Sequence, residues 1–259
     1  MNKRVSYSKI DVFWSCPYLY KLRYLDKLKA KPDERPDCAL YEGTSIHEAI
    51  EKRDKTHGLN VYKSNYKEVN LAHDIEMYKL EKAMDMAISE VPHGEYEYKL
   101  MTDDFIGYID MLVKVDEGVY DLYDFKFSNS DYKDSGQVHV YSYYYEKITG
   151  NKIRDIYYVM IPKCPDKYQE GCNIDELKEK IDKYYRTHTI RYDKVDFDRQ
   201  KVNYFFARKA LMEKEKAFDK RYSFKCGWCE FQRYCSTNGR DRSELIEETK
   251  EVDLWGKQE

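Results

Sequence analysis

Charged residues lie in a segment of the chain that otherwise has the character of a buried strand. Asp124, Phe125 and Lys126 fall within residues 120–128, a run rich in tyrosine, leucine and phenylalanine. Charges in such a setting lose their hydration, which is unfavourable unless they have a partner or a function. Side chains two positions apart on a strand point to the same face, so we expect Asp124 and Lys126 to share one site.

A second carboxylate is expected beside this pair. Asp110 ends the sequence Gly107-Tyr108-Ile109-Asp110, and a hairpin closed near residues 117–118 places it on the neighbouring strand. Two carboxylates and a lysine suit a Mg²⁺ site with a positive charge beside an attacked phosphate. A metal-free ion pair between Asp124 and Lys126 is the simpler alternative, but buried pairs of this kind rarely add stability.

Three of the seven cysteines have spacings typical of metal ligands. Cys226, Cys229 and Cys235 form a C-x2-C-x5-C pattern, in which the first two thiolates can reach one metal site. Cys16 is the best fourth ligand, because it lies between two predicted N-terminal helices that can meet the C-terminal helix. Zinc and an iron-sulfur cluster both accept four cysteines, and reduced thiols without a ligand are a further alternative. The other cysteines are expected to be free thiols: Cys38, Cys164 and Cys172.

The hydrophobic pattern predicts the elements that position these residues. A long helix is predicted near residues 71–91, and Pro92 and Gly94 end it. The period then becomes that of strands near 95–101, 104–115 and 119–127, followed by a helix over 137–148 and a strand over 153–161. This order predicts an α/β fold with a central mixed sheet flanked by helices.

Helices on both sides of this core are expected to complete one domain over residues 1–240. Its core spans about 71–165, and the cysteine cluster joins N-terminal helices in 1–60 to C-terminal helices in 175–240. Ser45 and Glu48 fit a capping box, which predicts a helix from there to about Lys55. Residues 241–259 are a charged tail, which we expect to be frayed from Glu244 onward.

Charge and composition restrict the classes of partner. The net charge is −3, so nucleic-acid binding requires local basic patches such as Lys21–Lys31 or Arg199–Lys220. The 27 tyrosines suit half-buried strands and surfaces that stack on bases. No segment approaches the roughly 18 apolar residues of a membrane span, and none has the character of a signal peptide. We therefore expect a cytoplasmic location and no membrane partner.

The motifs taken together resemble those of the PD-(D/E)XK nuclease superfamily. The chain is most similar to RecB-like exonucleases that carry an iron-sulfur cluster, including CRISPR-associated members. The resemblance extends from Ser8 to Cys235 and implies a restriction-endonuclease-like core with a cysteine-clasped helical appendage. The ordered set that carries it is His47, Asp110, Asp124-Phe125-Lys126, Gln137-x3-Tyr141 and the four cysteines.

The resemblance implies a role for each matching residue of the predicted site. His47, Asp110 and Asp124 would bind one or two Mg²⁺ or Mn²⁺ ions, and Lys126 would polarise the phosphate or help to generate hydroxide. Gln137 and Tyr141, one helical turn apart, would orient Lys126 or contact the DNA backbone. The simpler alternatives are an ordinary histidine on an amphipathic helix for His47, and surface helix residues for Gln137 and Tyr141.

The resemblance also implies a further glutamate and a cluster. The glutamate belongs on the first strand of the meander, where Glu95 and Glu97 share a face and remain alternatives. The cluster would be 4Fe-4S rather than zinc, with four ligands: Cys16, Cys226, Cys229 and Cys235.

The predicted function is hydrolysis of phosphodiester bonds by a metal-dependent DNA nuclease, an exonuclease acting on single-stranded DNA or DNA ends. One alternative is a DNA-end-binding subunit of a recombination or CRISPR spacer-acquisition complex with little activity alone. The intact Asp124-x-Lys126 motif argues against it, since binding alone has no chemical need for the lysine. A second alternative is an iron-sulfur regulator that binds nucleic acid. The motifs do not define the oligomeric state.

Overall fold

The chain forms two compact units in the computed structural model, which describes residues 4–128 and 130–246. Of the described residues, the first unit comprises 4–10 and 33–211 and the second comprises 11–32 and 212–246. The sequence-based expectation of one domain over residues 1–240 stays a prediction.

Nine α-helices and five strands are present in the described residues. The helices are α1 Tyr7–Ser15, α2 Pro17–Tyr20, α3 Ala39–Lys52, α4 Lys55–Ser64, α5 Leu71–Glu90, α6 Gln137–Thr149, α7 Ile174–Thr187, α8 Arg199–Lys214 and α9 Gln232–Ser236. The strands are β1 Glu95–Met101, β2 Ile106–Asp116, β3 Val119–Phe127, β4 Lys152–Ile161 and β5 Arg191–Val195. None of the helices in the described ranges combines the length and the apolar character that a bilayer crossing requires.

A mixed five-stranded sheet lies at the centre of the first unit. The strand order is β1-β2-β3-β4-β5, with β3 and β4 parallel and the other neighbours antiparallel. Parallel neighbours need a crossover connection, which α6 supplies. The predicted α/β fold class with a central mixed sheet flanked by helices is confirmed. Strand β5 was not predicted, because its mostly exposed polar residues hide the alternation that marks a half-buried strand.

The apolar face of α3 and α5 packs against this sheet. Residues of both helices and of strands β2, β3 and β4 form one core cluster in which every member is almost fully buried. Its members include Ile46, Ala49, Ile50, Leu80, Ala83, Met84, Met111, Phe125, Val159 and Ile161. Burying these side chains is the main stabilisation of the unit, and it also fixes α3, which carries His47, against the sheet.

Helix α3 begins six residues earlier than the sequence suggested. The predicted capping box at Ser45 is wrong: Ser45 is buried within the helix, and its Oγ donates a hydrogen bond to the Glu42 carbonyl oxygen at 2.8 Å. A serine inside a helix can satisfy its hydroxyl in this way, so the same residue type is compatible with both positions. The helix ends at Arg53, whose φ of +53° is left-handed, and Asp54 caps α4. The last residue of the predicted helix is therefore Lys52 instead of about Lys55, and α4, which begins at Lys55, was not predicted.

The second unit contains short helical segments. Besides α2 and α9 it has a π-helical turn at Lys21–Leu25 and a 3-10 helix at Phe224–Trp228. Its small core consists of Leu22, Phe231 and Leu245, each at most 2% exposed.

The start of the predicted tail is packed in this unit. The Lys31 amide donates to the Glu244 carbonyl oxygen at 2.7 Å, and the Ile246 amide donates to the Lys29 carbonyl oxygen at 2.9 Å. The expectation of a segment frayed from Glu244 is therefore wrong for residues 244–246, because Leu245 contributes to the core. The rest of the predicted tail, residues 247–259, lies outside the described residues.

Candidate active site

Adjacent strands bring three carboxylates into one row across the sheet. The register of β1 with β2 puts Glu97 opposite Asp110. The pairing of β2 with β3 ends at Met111 and Tyr123. The next residues in the same register are Asp110 on β2 and Asp124 on β3, which therefore stand opposite one another. Directly opposed residues on neighbouring strands have Cβ atoms about 5 Å apart. The pairing of the strands therefore gathers residues that are far apart in the sequence.

The side chain of Asp110 bonds to the backbone of β3 where the pairing of β2 with β3 stops. Its Oδ2 accepts a hydrogen bond of 2.7 Å from the Phe125 amide. His47 on α3 lies beside it, with Nδ1 3.8 Å from Asp110 Oδ2 and Nε2 3.3 Å from the Phe125 carbonyl oxygen. A carbonyl only accepts, so Nε2 is the donor in this contact, and Nδ1 is the ring nitrogen on the side of Asp110. A neutral imidazole with a free lone pair is the form that binds a metal.

Glu97 completes a set of three ligand residues. One ligand atom each from His47, Glu97 and Asp110 lie within 4.8 Å of one another. Carboxylate oxygens with one imidazole nitrogen suit Mg²⁺ or Mn²⁺. This geometry favours Glu97 over Glu95, which the sequence left open.

The backbone at Glu97 is strained. Its φ is +50°, a left-handed conformation that costs a residue with a side chain on the order of 1 kcal/mol or more. Such outliers persist where the surrounding structure imposes them, and they are concentrated at functional sites. Desolvation of the carboxyl, and next the charge of Asp110, raise the pKa of Glu97.

Asp124 and Lys126 share one face of β3, as the period of two predicts. Lys126 Nζ pairs with Asp124 Oδ2, and the two side chains are 21% and 4% exposed. Burial, followed by the charge of Asp110, raises the pKa of Asp124, and Lys126 opposes this shift. Burial alone would lower the pKa of Lys126, but the Asp124 carboxylate outweighs it and the pKa is raised. The lysine is therefore protonated at neutral pH.

Asp124 is not part of the set of ligands within 4.8 Å. That set consists of His47, Glu97 and Asp110 in the described residues, whereas Asp124 faces the ammonium of Lys126. The role of Asp124 as a metal ligand therefore stays a prediction.

Two tyrosines that the sequence did not reveal surround Lys126. Its Nζ lies 4.9 Å from the centre of the Tyr132 ring and 5.8 Å from that of Tyr158. The Tyr158 hydroxyl donates to Asp134 Oδ1 at 2.8 Å. Tyr158 stands opposite Asp124 in the parallel pairing of β3 with β4. Only this pairing shows that Tyr158 lies at the site. The sequence could not reveal it, because the sequence does not give the register of β3 with β4.

Asp134 anchors the start of α6, the helix that carries Gln137 and Tyr141. It pairs with Lys201, accepts from His139 Nε2 at 2.7 Å, and accepts from the Gly136 amide at 2.9 Å. Burial has the largest single effect on the pKa of Asp134 and raises it. The hydrogen bonds from Lys201, His139 and Tyr158 lower the pKa and together outweigh burial. The pKa of Asp134 is therefore well below its usual range.

Gln137 and Tyr141 contact one another, and Tyr141 faces the carboxylates. Gln137 Nε2 donates to Tyr141 Oη at 2.9 Å, and Tyr141 is only 7% exposed. Burial, and to a smaller extent the charges of Asp124 and Asp110, raise the pKa of the phenol, which therefore stays neutral. A Cβ on Gly107 would lie 2.8 Å from Tyr141 Cε1, so the absence of a side chain there lets the ring approach β2.

The four cysteines predicted as cluster ligands lie in the second unit and line one cavity of about 480 Å³. No three of their sulfur atoms lie within 4.8 Å of one another, since the set that meets this distance in the described residues is His47, Glu97 and Asp110. Burial raises the pKa of Cys229 and Cys235. Cations also line the cavity: Arg23, Lys220, Arg221 and Lys225.

The comparison with protein families decides the identity of the chain. A model of the PD-(D/E)XK nuclease superfamily matches residues 4–236. The chain belongs to the PD-(D/E)XK nuclease superfamily. The resemblance drawn from the motifs is confirmed at this level. No curated protein sequence matches the chain.

Several chains of solved structures are similar to this PD-(D/E)XK chain. One of them comes from a crystal structure at 2.19 Å resolution of a protein from Eubacterium rectale that is provisionally described as an exonuclease. The two sequences are 12% identical, the alignment covers 86% of this chain and 92% of that one, and the TM-score is 0.47. Membership of the superfamily makes the protein a nuclease, which hydrolyses nucleic acid, and PD-(D/E)XK nucleases use divalent metals.

Proposed function

We propose that this nuclease is a RecB-like, Mg²⁺- or Mn²⁺-dependent DNA exonuclease that acts on single-stranded DNA or DNA ends. The observation that carries the proposal is the set of His47, Glu97 and Asp110, with ligand atoms within 4.8 Å of one another. The Asp124–Lys126 pair lies beside it on β3. The donor set fits a divalent cation, because it offers two carboxylates and an imidazole nitrogen free to bind.

Each residue of the site is proposed to have a separate role in phosphodiester hydrolysis. A divalent cation, when bound by the three ligands, supplies a water of lowered pKa and stabilises charge on the phosphate. Lys126, protonated and oriented by the Tyr132 and Tyr158 rings, neutralises the negative charge that develops on the phosphate oxygens. Tyr141 keeps its proton and offers a hydroxyl group toward the carboxylates. Asp124 holds the lysine and is available as a further ligand.

Exposed aromatic and basic side chains of the first unit support a single-stranded substrate. Tyr204 on α8 is 57% exposed, and the Arg208 guanidinium lies 4.1 Å from the centre of its ring. Aromatic rings next to cations are typical of surfaces that stack bases and follow a phosphate backbone. Double-stranded DNA does not offer its base faces in this way, so the pair favours single strands and frayed ends.

We also propose that Cys16, Cys226, Cys229 and Cys235 bind a 4Fe-4S cluster. Zinc–sulfur bonds of about 2.3 Å would draw four sulfurs to within about 3.8 Å of one another. The four thiols instead line a cavity of about 480 Å³ without meeting at such distances, which suits a larger group. The role of the cluster is structural, because phosphodiester hydrolysis transfers no electron.

Degradation of end-labelled single-stranded DNA tests the nuclease site. We expect the wild type to release labelled nucleotides with Mg²⁺ or Mn²⁺ and Asp124→Ala to lose this activity by about 100-fold or more. Asp121→Asn is the matched control, because Asp121 is an equally buried carboxylate on β3 that pairs with Arg154. Equal activity of the wild type and Asp124→Ala would show that the proposed site is wrong.

The metal content of protein purified without oxygen tests the cluster. We expect a coloured preparation with iron and sulfide in equal amounts and about four irons per chain. A colourless preparation that contains zinc and no iron would show that the assignment of 4Fe-4S is wrong, without affecting the nuclease assignment.

A further inference from the structure

The most exposed large hydrophobic side chains of the described residues lie within seven positions of one another. Tyr222, Phe224 and Trp228 are 76%, 78% and 73% exposed. Single exposed hydrophobic residues are common on protein surfaces, but a group of large rings marks a binding surface. Packing in the core cannot explain these residues, since so little of each ring is covered. We call the three residues the aromatic strip.

Cations alternate with the aromatic strip along the chain. Lys220, Arg221 and Lys225 lie between or beside the rings, and no carboxylate occurs from Lys220 to Trp228. The segment is thus positive although the whole chain carries a net charge of −3. Aliphatic residues, which would favour insertion into a lipid surface, are also absent from these nine positions. The combination of rings and cations favours a ligand with flat faces and negative charges.

Local hydrogen bonds hold the strip in a defined conformation. Ser223 caps the 3-10 helix, with its Oγ accepting from the Lys225 amide at 3.3 Å. The Cys226 amide donates to the Ser223 carbonyl oxygen at 3.0 Å. The rings of Phe224 and Trp228 meet edge to face, with centroids 5.9 Å apart. These contacts place the Phe224 and Trp228 rings next to one another on the 3-10 helix, and such an arrangement, present before a ligand binds, lowers the entropic cost of binding.

We propose that Tyr222, Phe224 and Trp228 stack on bases of single-stranded DNA while Lys220, Arg221 and Lys225 neutralise its phosphates. The choice of DNA rests on the proposed function, whereas the stacking chemistry rests on the strip itself. Every base has a flat face, so this binding is expected to be tolerant of sequence and to prefer strands whose bases are unpaired.

Two substitutions at one position test the stacking. Trp228→Leu keeps apolar bulk but removes the aromatic face, and Trp228→Phe keeps a face. Binding of the full-length protein to an oligo-dT strand, measured by fluorescence anisotropy without divalent cations, should weaken about fivefold or more in Trp228→Leu. Trp228→Phe should stay within about twofold of the wild type, and circular dichroism and iron content check that both variants are folded.

An abasic strand of equal length separates stacking from charge. It carries the same phosphates without bases, so Trp228→Leu should bind it as the wild type does. Lys225→Ala should weaken binding to both strands and reduce the dependence on salt. Equal oligo-dT affinity of the Trp228→Leu and Trp228→Phe variants would overturn the proposal, as would equal affinity of the wild type for both strands. Either result would leave a protein partner as the ligand of the strip.

This measurement is independent of hydrolysis. If the wild type cleaves DNA while the strip variants bind it normally, the strip proposal fails and the nuclease assignment stands. If the wild type shows base-dependent binding through Trp228 and cleaves no DNA, the proposed activity fails and the strip proposal stands.

Discussion

The carboxylate site and the cysteine cavity differ in what fixes their residues. Glu97, Asp110 and Asp124 stand on paired strands, His47 stands on a helix packed in the main core, and the Phe125 amide orients Asp110. The cysteines stand on short helices and turns around a cavity, and their sulfurs do not meet at the distances of a small metal ion. The first site is organised by the backbone, whereas the second would depend on the cluster that we propose it binds.

This difference predicts opposite relations between function and stability. A site fixed by the fold can lose its ligand and remain folded, and its crowded charges even oppose folding. A site fixed by its ligand transfers the binding free energy to folding. Substitutions in the two regions can therefore be compared directly, by measuring hydrolysis and the free energy of unfolding in parallel.

The largest effect on activity is expected from Asp110→Asn. An amide oxygen can still accept the hydrogen bond from the Phe125 amide, but the charge that binds the metal is lost. Hydrolysis of single-stranded DNA should fall by about 1000-fold. The melting temperature should stay the same or rise, because Asp110 raises the pKa of Asp124 by repulsion and the variant removes that repulsion. A melting temperature well below that of the wild type would contradict the idea that the fold, and not a bound ligand, fixes the carboxylate site.

The largest effect on stability is expected from Cys229→Ser. The variant loses one of the four cysteines that would hold the proposed cluster. If the cluster is present at about 1000 times its dissociation constant, its loss lowers the free energy of unfolding by about 4 kcal/mol. Thermal unfolding under anaerobic conditions, together with iron content, measures this effect. Cys172→Ser is the control, since Cys172 is also half-buried but does not line the cavity. Similar losses in both variants would mean that the cavity depends on ordinary packing.

Glu97→Gln should have a smaller effect that is confined to metal binding. The Mn²⁺ concentration that gives half-maximal hydrolysis should rise by about 10- to 100-fold, because one charged ligand is lost. Glu95→Gln is the matched control on the same strand and should leave that concentration unchanged. If Glu97→Gln and Glu95→Gln need the same Mn²⁺ concentration, the pairing of β1 with β2 does not decide which glutamate binds the metal.

The smallest effect in this series is expected from two glycine substitutions. Gly107→Ala places a Cβ 2.8 Å from Tyr141 Cε1, which should lower the free energy of unfolding by about 1–3 kcal/mol. Gly227→Ala, in the cysteine region, meets nothing within 4 Å and should change it by less than about 0.5 kcal/mol. Urea titrations of both variants test this contrast. Equal unfolding midpoints for Gly107→Ala and Gly227→Ala would contradict it.

The sequence predicted the strands of the site more accurately than their surroundings. Strands β1 and β3 were predicted to the residue, because alternation and turn residues mark both ends. The period of two could not separate Glu95 from Glu97, since both share a face, and only the pairing with β2 distinguishes them. Tyr158 and Asp134 were missed because their contacts depend on the crossover through α6, and Leu245 because its charged neighbours suggested a tail.

The position of β3 in the sheet has a consequence for hydrogen exchange. This strand pairs with β2 on one edge and with β4 on the other. Amides in such a strand exchange with solvent only when the whole cooperative unit opens, whereas short helices and turns open locally at low cost. The amide hydrogens near Leu122 and Tyr123, where both neighbours pair with β3, should therefore be among the last to exchange. Partly opened forms of the protein should retain the strand that carries Asp124 and Lys126.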